Sequence, residues 1–178
     1  KKNKKDSWSA NIRGTYTQTT YPAGSIGGGF NYDKNKVSIS SDLGVTNGSI
    51  SPIYKTTFFY PSQTWHEENT NRNFYNIIRG RLGVNYKFSE KFSIGLQYIG
   101  SNNNKKNKEK DISTIKNNSL STIDSLIISN AENKIKNNIT NVDIYSIYKL
   151  DTIGRKISTN FNYLTFNDNQ DRVFSSNN

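Results

Sequence analysis

The one imidazole in the chain, His66, stands beside Glu67 and Glu68. A metal centre built on it would need further ligands at fixed spacing, and the sequence has no second His and no Cys. Ser-His-Asp catalysis would have to pass through the same ring, and no motif places a serine beside it. His66 therefore reads as a solvated loop residue. Gly27-Gly28-Gly29 lacks the spacing of phosphate-cradling loops and falls within a run of strand-forming residues, where glycines mark a bulge or a close backbone approach. No catalytic residue, metal ligand or cofactor site emerges, and the chain does not read as an enzyme.

The constellation with physical content is a set of polar residues, Arg13, Asp42, Arg79, Arg81, Lys87, Gln97 and Asp143, that alternate with aromatic and aliphatic neighbours. Such alternation places the two kinds of side chain on opposite faces of a pleated strand. If the apolar face met lipid, a charge on that face would cost about 2–4 kcal/mol at the bilayer midplane, so these polar residues are expected to line a lumen. Asp42 and Arg81 fall at similar distances from their turns, which allows a luminal ion pair between them; the alternative is that these residues are hydrated lumen side chains or contacts to a plug. The opposite face carries Trp8, Tyr32, Tyr86, Phe88, Phe92 and Tyr148 near one rim, the arrangement of an aromatic girdle at the headgroup level. Tyr16, Phe74 and Tyr98 fall towards the other rim.

The elements that must hold these faces follow from period-two alternation. From Asn73 to Phe88, the set Phe74, Ile78, Leu82, Val84, Tyr86 and Phe88 opposes Arg79, Arg81, Asn85 and Lys87. The same split predicts seven strands, over 7–19, 25–32, 37–46, 73–88, 91–101, 139–150 and 156–166. The connections at Asp33 to Lys36, Ser89 to Glu90 and Asp151 to Arg155 are short and polar, whereas 47–72 and 102–138 read as long loops. Short turns at one rim and long loops at the other is the outer-membrane pattern. Within the second loop, Ser121 to Ser129 has the residues of a strand extension.

Composition bounds the alternatives. Mean hydropathy is −0.80 and the apolar share only 32%, yet eleven Tyr, nine Phe and two Trp argue against a disordered chain. No apolar run is long enough for a membrane-crossing helix, which leaves a β-barrel open because barrel strands alternate lipid-facing and lumen-facing residues. The net charge of +10 sits in turns and in the long loop, where Lys105, Lys106, Lys108 and Lys110 cluster, with no nucleic-acid-binding motif, so no nucleic-acid partner is expected. Those lysines read by default as the solvated charges of a polar loop, with the phosphates of lipopolysaccharide as the alternative they suit. The Lys-rich start at Lys1 without a leader segment, and the end at Ser175, Ser176, Asn177 and Asn178 without a closing aromatic strand, lead us to expect an internal fragment.

The stretch Tyr75-Asn76-Ile77-Ile78-Arg79-Gly80-Arg81-Leu82-Gly83-Val84-Asn85-Tyr86-Lys87, the connection Thr20-Tyr21-Pro22-Ala23-Gly24-Ser25, and Leu150-Asp151-Thr152-Ile153-Gly154-Arg155-Lys156 resemble the outer-membrane β-barrel family of Bacteroidetes, which is similar to TonB-dependent receptors. The resemblance implies a parent protein with a plug domain, a barrel of about 22 strands and contact with TonB through parts outside this chain. Residues 1–178 would then be a partial barrel domain, an all-β antiparallel up-and-down meander in the bacterial outer membrane, with lipid and lipopolysaccharide as partners and no cofactor. The resemblance implies a receptor or transporter and names no ligand. The competing expectation is a soluble or surface-exposed β-sandwich, an adhesin or carbohydrate-binding module.

Overall fold

A computed structural model describes residues 6–177. Lys1 to Lys5 and Asn178, on which the fragment expectation partly rested, lie outside the described residues.

Eight strands run in chain order: β1 (Ser7–Gln18), β2 (Pro22–Lys34), β3 (Val37–Ile50), β4 (Ile53–Phe59), β5 (Gln63–Lys87), β6 (Phe92–Asn117), β7 (Ile123–Lys149) and β8 (Lys156–Asn177). They form one antiparallel up-and-down sheet in the order β1-β2-β3-β5-β6-β7-β8, with β4 paired to β5. The sheet is open, since β1 and β8 are each paired on one side only among the described residues.

Strand β4 continues β3 along the same neighbour. Ile50 lies opposite Asn73 and Ile53 opposite Thr70, so the chain keeps its direction past Ser51-Pro52. Proline cannot donate to the ladder, which interrupts the strand there. The gap is bridged by the Asn71 amide donating to Pro52 O at 3.0 Å and by Ser51 Oγ donating to Asn71 O at 2.9 Å.

The seven expected strands are all present, but the expected long loops are not loops. Segment 47–72 contains the upper part of β3, β4 and the start of β5. Segment 102–138 contains the ends of β6 and β7, which run 26 and 27 residues and stay paired from Phe92 opposite Tyr148 to Lys116 opposite Ile123, with one irregularity near Ile115. The expected extension over Ser121 to Ser129 is present from Ile123. The physical reason for the rest is that a hydrogen-bonded ladder is carried by backbone groups, so Asn- and Lys-rich stretches extend as strands once a neighbour supplies the pairing. Connections are consequently short at both rims, 19–21, 60–62 and 118–122 at the upper one.

The turns are set by short polar side chains. Asn35 takes a left-handed φ of 51° in the β2–β3 turn, a conformation Asn tolerates. Ser89 Oγ accepts from the Lys91 and Phe92 amides, and Asp151 Oδ1 accepts from the Ile153, Gly154 and Arg155 amides at 3.0 Å. Gly154, at φ 112°, supplies the backbone that Asp151 wraps.

The sheet is a single layer with almost no enclosed core; Ile115 is the one large apolar residue buried among the described ones. Exposure nonetheless alternates. Along β6 and β7, Gln97, Asn103, Asn107, Asn137, Asp143 and Tyr145 are half-buried and Gly95 and Asn133 buried, while Leu96, Tyr98, Lys134, Lys136 and Ile144 are exposed. A one-layer sheet covers one face more than the other by curving towards it, so the face of Gln97 and Asp143 is concave.

Candidate functional site: two faces of the sheet

Register, followed strand by strand, sorts every side chain onto a face. The row Trp8, Tyr32, Ile39, Val84, Leu96, Ile144 and Phe161 crosses seven strands and is apolar throughout. The row above it, Ala10, Phe30, Ser41, Leu82, Tyr98, Val142 and Tyr163, is broken by one serine. These rows belong to the convex face, and nothing covers them: Trp8 is 72% exposed, Phe161 63% and Tyr163 54%. A continuous bare apolar surface of this extent marks a place of contact with a membrane, a ligand or another protein surface.

The apolar belt runs obliquely to the strands. Its upper margin passes through Tyr16, Ile26, Val45, Ile78, Tyr98, Val142 and Tyr163. The register row of Tyr163 leads back to Ala10, so between β1 and β8 the margin descends by the spacing of Tyr16 from Ala10. The lower margin descends by the spacing of Phe161, in the row of Trp8, from Ile157. With about 3.4 Å per residue and about 4.8 Å between strands, these slopes place the strands at roughly 25–35° to the normal of the belt.

The expected girdle residues all lie on this face at the rim of the β2–β3, β5–β6 and β7–β8 turns. Tyr86 and Phe88 meet edge to face with centroids 4.7 Å apart, Phe88 stacks on Phe92 at 5.4 Å, and Phe92 reaches Tyr148 at 6.4 Å. Trp8 lies directly opposite Tyr32. At the other rim Tyr16 and Tyr98 bound the belt, while Phe74 sits above it, beneath the guanidinium of Arg72, which also covers Tyr21 at 3.7 Å.

The expected polar set, Arg13, Asp42, Arg79, Arg81, Gln97 and Asp143, shares the concave face by register, as does Lys87. Its pairing differs from the expectation. Asp42 lies opposite Arg81, but the ion pair it makes is with Arg13, at 2.5 Å. The cause is the glycine run: Gly27 and Gly29 separate the two strands with no side chains on this face, so Arg13 lies across β2 and reaches Asp42. Register through Gly27-Gly28-Gly29 is unbroken, so these glycines provide close approach rather than a bulge; a Cβ on Gly27 would stand 2.8 Å from Leu43 O. Arg81 turns to Gln97 instead, whose amide oxygen accepts from Nε and an NH2 group at 2.6 Å. Gln97 lies opposite Asp143, which continues the polar row on β7.

One packing feature had no signal in the sequence. The Tyr145 ring lies over Gly95 on the neighbouring strand, and its hydroxyl accepts from Asn85 Nδ2 at 3.0 Å, two strands away. An aromatic covering a strand glycine restores the packing the glycine lacks. The spacing Gly95 to Tyr145 becomes meaningful only once register is known.

Above the belt the convex face changes character. The rows there read Asn47, Asn76, Asn104, Lys136 and Asn169, then Phe74, Lys106, Lys134 and Asp171, then Arg72, Lys108, Glu132 and Val173. Of the expected lysine cluster, Lys106, Lys108 and Lys110 share this face, whereas Lys105 falls on the concave one. Glu132 receives Lys106 at 2.8 Å and Lys134 at 3.5 Å, and the Lys106 hydrogen bond holds its carboxyl below the ordinary glutamate value. His66 stands on β5 with its Nδ1 2.9 Å from Thr57 Oγ1, and the described residues contain no group of three or more His, Asp or Glu suited to a metal. No protein-family profile matches the chain, and no curated protein is similar to it.

Proposed function

We propose that this sheet is a wall segment of an outer-membrane receptor or transporter barrel of the TonB-dependent-receptor kind, with its convex face in lipid, its concave face towards the lumen, and its longer strand ends outside the cell. The observation that carries the reading is the oblique apolar belt. Barrel strands in a bilayer tilt by about 35–45°. A belt lying flat in the membrane would tilt these strands by roughly 25–35°, in the neighbourhood of that range. Curvature away from the belt, the Arg, Asp and Gln residues of the concave face and an aromatic row at the rim of the β2–β3, β5–β6 and β7–β8 turns support the same reading. The open edges at β1 and β8 would be closed by further strands, because hydrocarbon does not tolerate unpaired backbone groups.

The test uses the full-length protein with single cysteines placed on each face. Cysteines at Leu43, Leu82 and Leu96, carrying a fluorophore, are expected to be quenched by bromine-labelled lipid tails, and those at Ser40, Arg81 and Gln97 by aqueous iodide. Quenching of both sets by iodide alone, or a full-length protein that stays soluble and monomeric without detergent, would overturn the reading.

A further inference from the structure

The convex face does not end with the belt, and we infer that its upper, basic stretch binds the anionic core oligosaccharide of a lipopolysaccharide in the outer leaflet; this rests on the outer-membrane reading. The cations are Arg72, Lys106, Lys108, Lys110, Lys134 and Lys136, all placed on one face by register across β5, β6 and β7. Against them on these rows stand the carboxylates of Glu132 and Asp171. Glu132 is shared between Lys106 and Lys134, while Lys108, Lys110 and Lys136 make no ion pair among the described residues. The surplus is positive, and it is presented on the face that continues the apolar belt.

Height above the belt selects the occupant. Lys136 and Lys106 stand beyond Val142 and Tyr98 by strand lengths that, at about 3.4 Å per residue and the tilt above, are roughly 15–20 Å and 20–25 Å from the hydrocarbon edge. The headgroup layer on one side of a bilayer is only about 5–8 Å deep. A phospholipid phosphate is therefore too shallow to reach the lysines. A glycolipid whose sugars project upwards carries anionic groups to that height. Between the belt and the lysines lie Asn102, Asn138 and Asn167, and Asn76, Asn104 and Asn169 share the row of Lys136; their amides donate to and accept from sugar hydroxyls. Going up the face, the side chains change from alkyl and aromatic to amide and then to mixed amide and ammonium, which suits acyl chains below and the hydroxyls and anionic groups of a sugar core above.

Full-length protein extracted from outer membranes in mild detergent and washed with chelator would be assayed for retained lipopolysaccharide by native mass spectrometry. The variant Lys106→Gln, Lys134→Gln, Lys136→Gln is expected to lose most of it, about ten-fold, and the corresponding Lys→Arg variant to retain it. Lys105→Gln with Arg172→Gln removes charge from the concave face, on β6 and the neighbouring β8, and is expected to leave retention unchanged. Equal loss in both Gln variants, full retention in the triple Gln variant, or no lipopolysaccharide on the wild-type protein would each overturn the proposal. Membrane integration of the same preparations is read separately by the lipid-tail quenching above. A protein that integrates yet retains lipopolysaccharide regardless of Lys106, Lys134 and Lys136 sinks this inference alone, whereas one that fails to integrate sinks the barrel reading.

Discussion

The lower and upper halves of this sheet share one continuous hydrogen-bond ladder and differ in what their faces carry. Below the level of Ile78 and Tyr98, the convex face is aliphatic and aromatic, and the concave face carries Ser, Asn, Arg and Asp with Ile99, Tyr145, Ile147 and Leu164 among them. Above it the convex face becomes Asn and Lys, and the concave face acquires Ile77, Tyr75, Ile135 and Ile115 among asparagines. The backbone does not register the change; β5 runs through it with its pairing to β6 unbroken from Lys87 opposite Ser93 to Gln63 opposite Asn117. Strand formation and face chemistry are thus separate pieces of information in this chain. Pairing is supplied by neighbouring backbones, while the difference between the halves is carried by the side chains of one face.

The sharpest way to break that distinction is to put the same charge at two heights on the same face. Leu82→Arg, in the middle of the belt, is expected to cost about 2–4 kcal/mol in denaturant unfolding of the full-length protein in vesicles. Asn104→Arg, on the same face above the belt, is expected to stay within about 0.5 kcal/mol. Equal costs at the two positions would mean that the belt does not meet hydrocarbon.

The same division explains what could be read before coordinates. Every strand segment of the lower half was legible, because Phe74 to Phe88 or Phe92 to Tyr98 alternate apolar with polar and the period is visible in one chain. The upper half has no such period: in Asn102-Asn103-Asn104-Lys105-Lys106-Asn107-Lys108 both faces are polar, so a strand and a solvated loop look alike. Weaker signals were present, the run Tyr54 to Phe59 before the turn at Pro61-Ser62, and Ile112 with Thr114 and Ile115. On the concave face, the side assigned to each polar residue follows from parity, but partner choice does not. Asp42 takes Arg13 over the directly opposed Arg81 because glycines on the intervening strand leave a long arginine room to cross, a fact about three strands at once.

Side-chain packing sharpens the contrast at the next level of effect. In the lower half the concave face is knit by Tyr145 lying on Gly95 and bonded to Asn85. Gly95→Ala puts a methyl group into that ring, which must swing away and give up the Asn85 bond, at about 1–3 kcal/mol. Asn137 on the concave face of the upper half has an amide oxygen with no protein partner. Asn137→Ala removes an unsatisfied acceptor and is expected to change stability by less than about 0.5 kcal/mol. Comparable losses from both would show that the upper half relies on side-chain contacts as the lower one does.

The smallest expected effect is in acid, where each half has one carboxylate outside the belt held low by a cation. Glu132 is lowered from an ordinary value of 4.5 chiefly by its hydrogen bond with Lys106, and Asp151 from 3.8 chiefly by its hydrogen bond with Arg155, with the turn amides adding to it. A carboxylate lowered on folding stabilises the fold above its unfolded value, and that contribution fades as pH falls through the folded value. Neither group should therefore matter between about pH 5 and 8, and both should loosen below about pH 4. Hydrogen exchange would locate the change. Protection is expected to fall at Ile153 to Arg155, whose amides Asp151 holds directly, and much less around Glu132, where the ladder's amides bond to the neighbouring backbone and the ion pair is an addition. Asp151→Asn, which keeps an acceptor oxygen but no titratable charge, should leave the turn's protection flat with pH. A pH-dependent turn in that variant, or an acid response centred on Glu132, would place control of the ladder in surface charge rather than in the backbone.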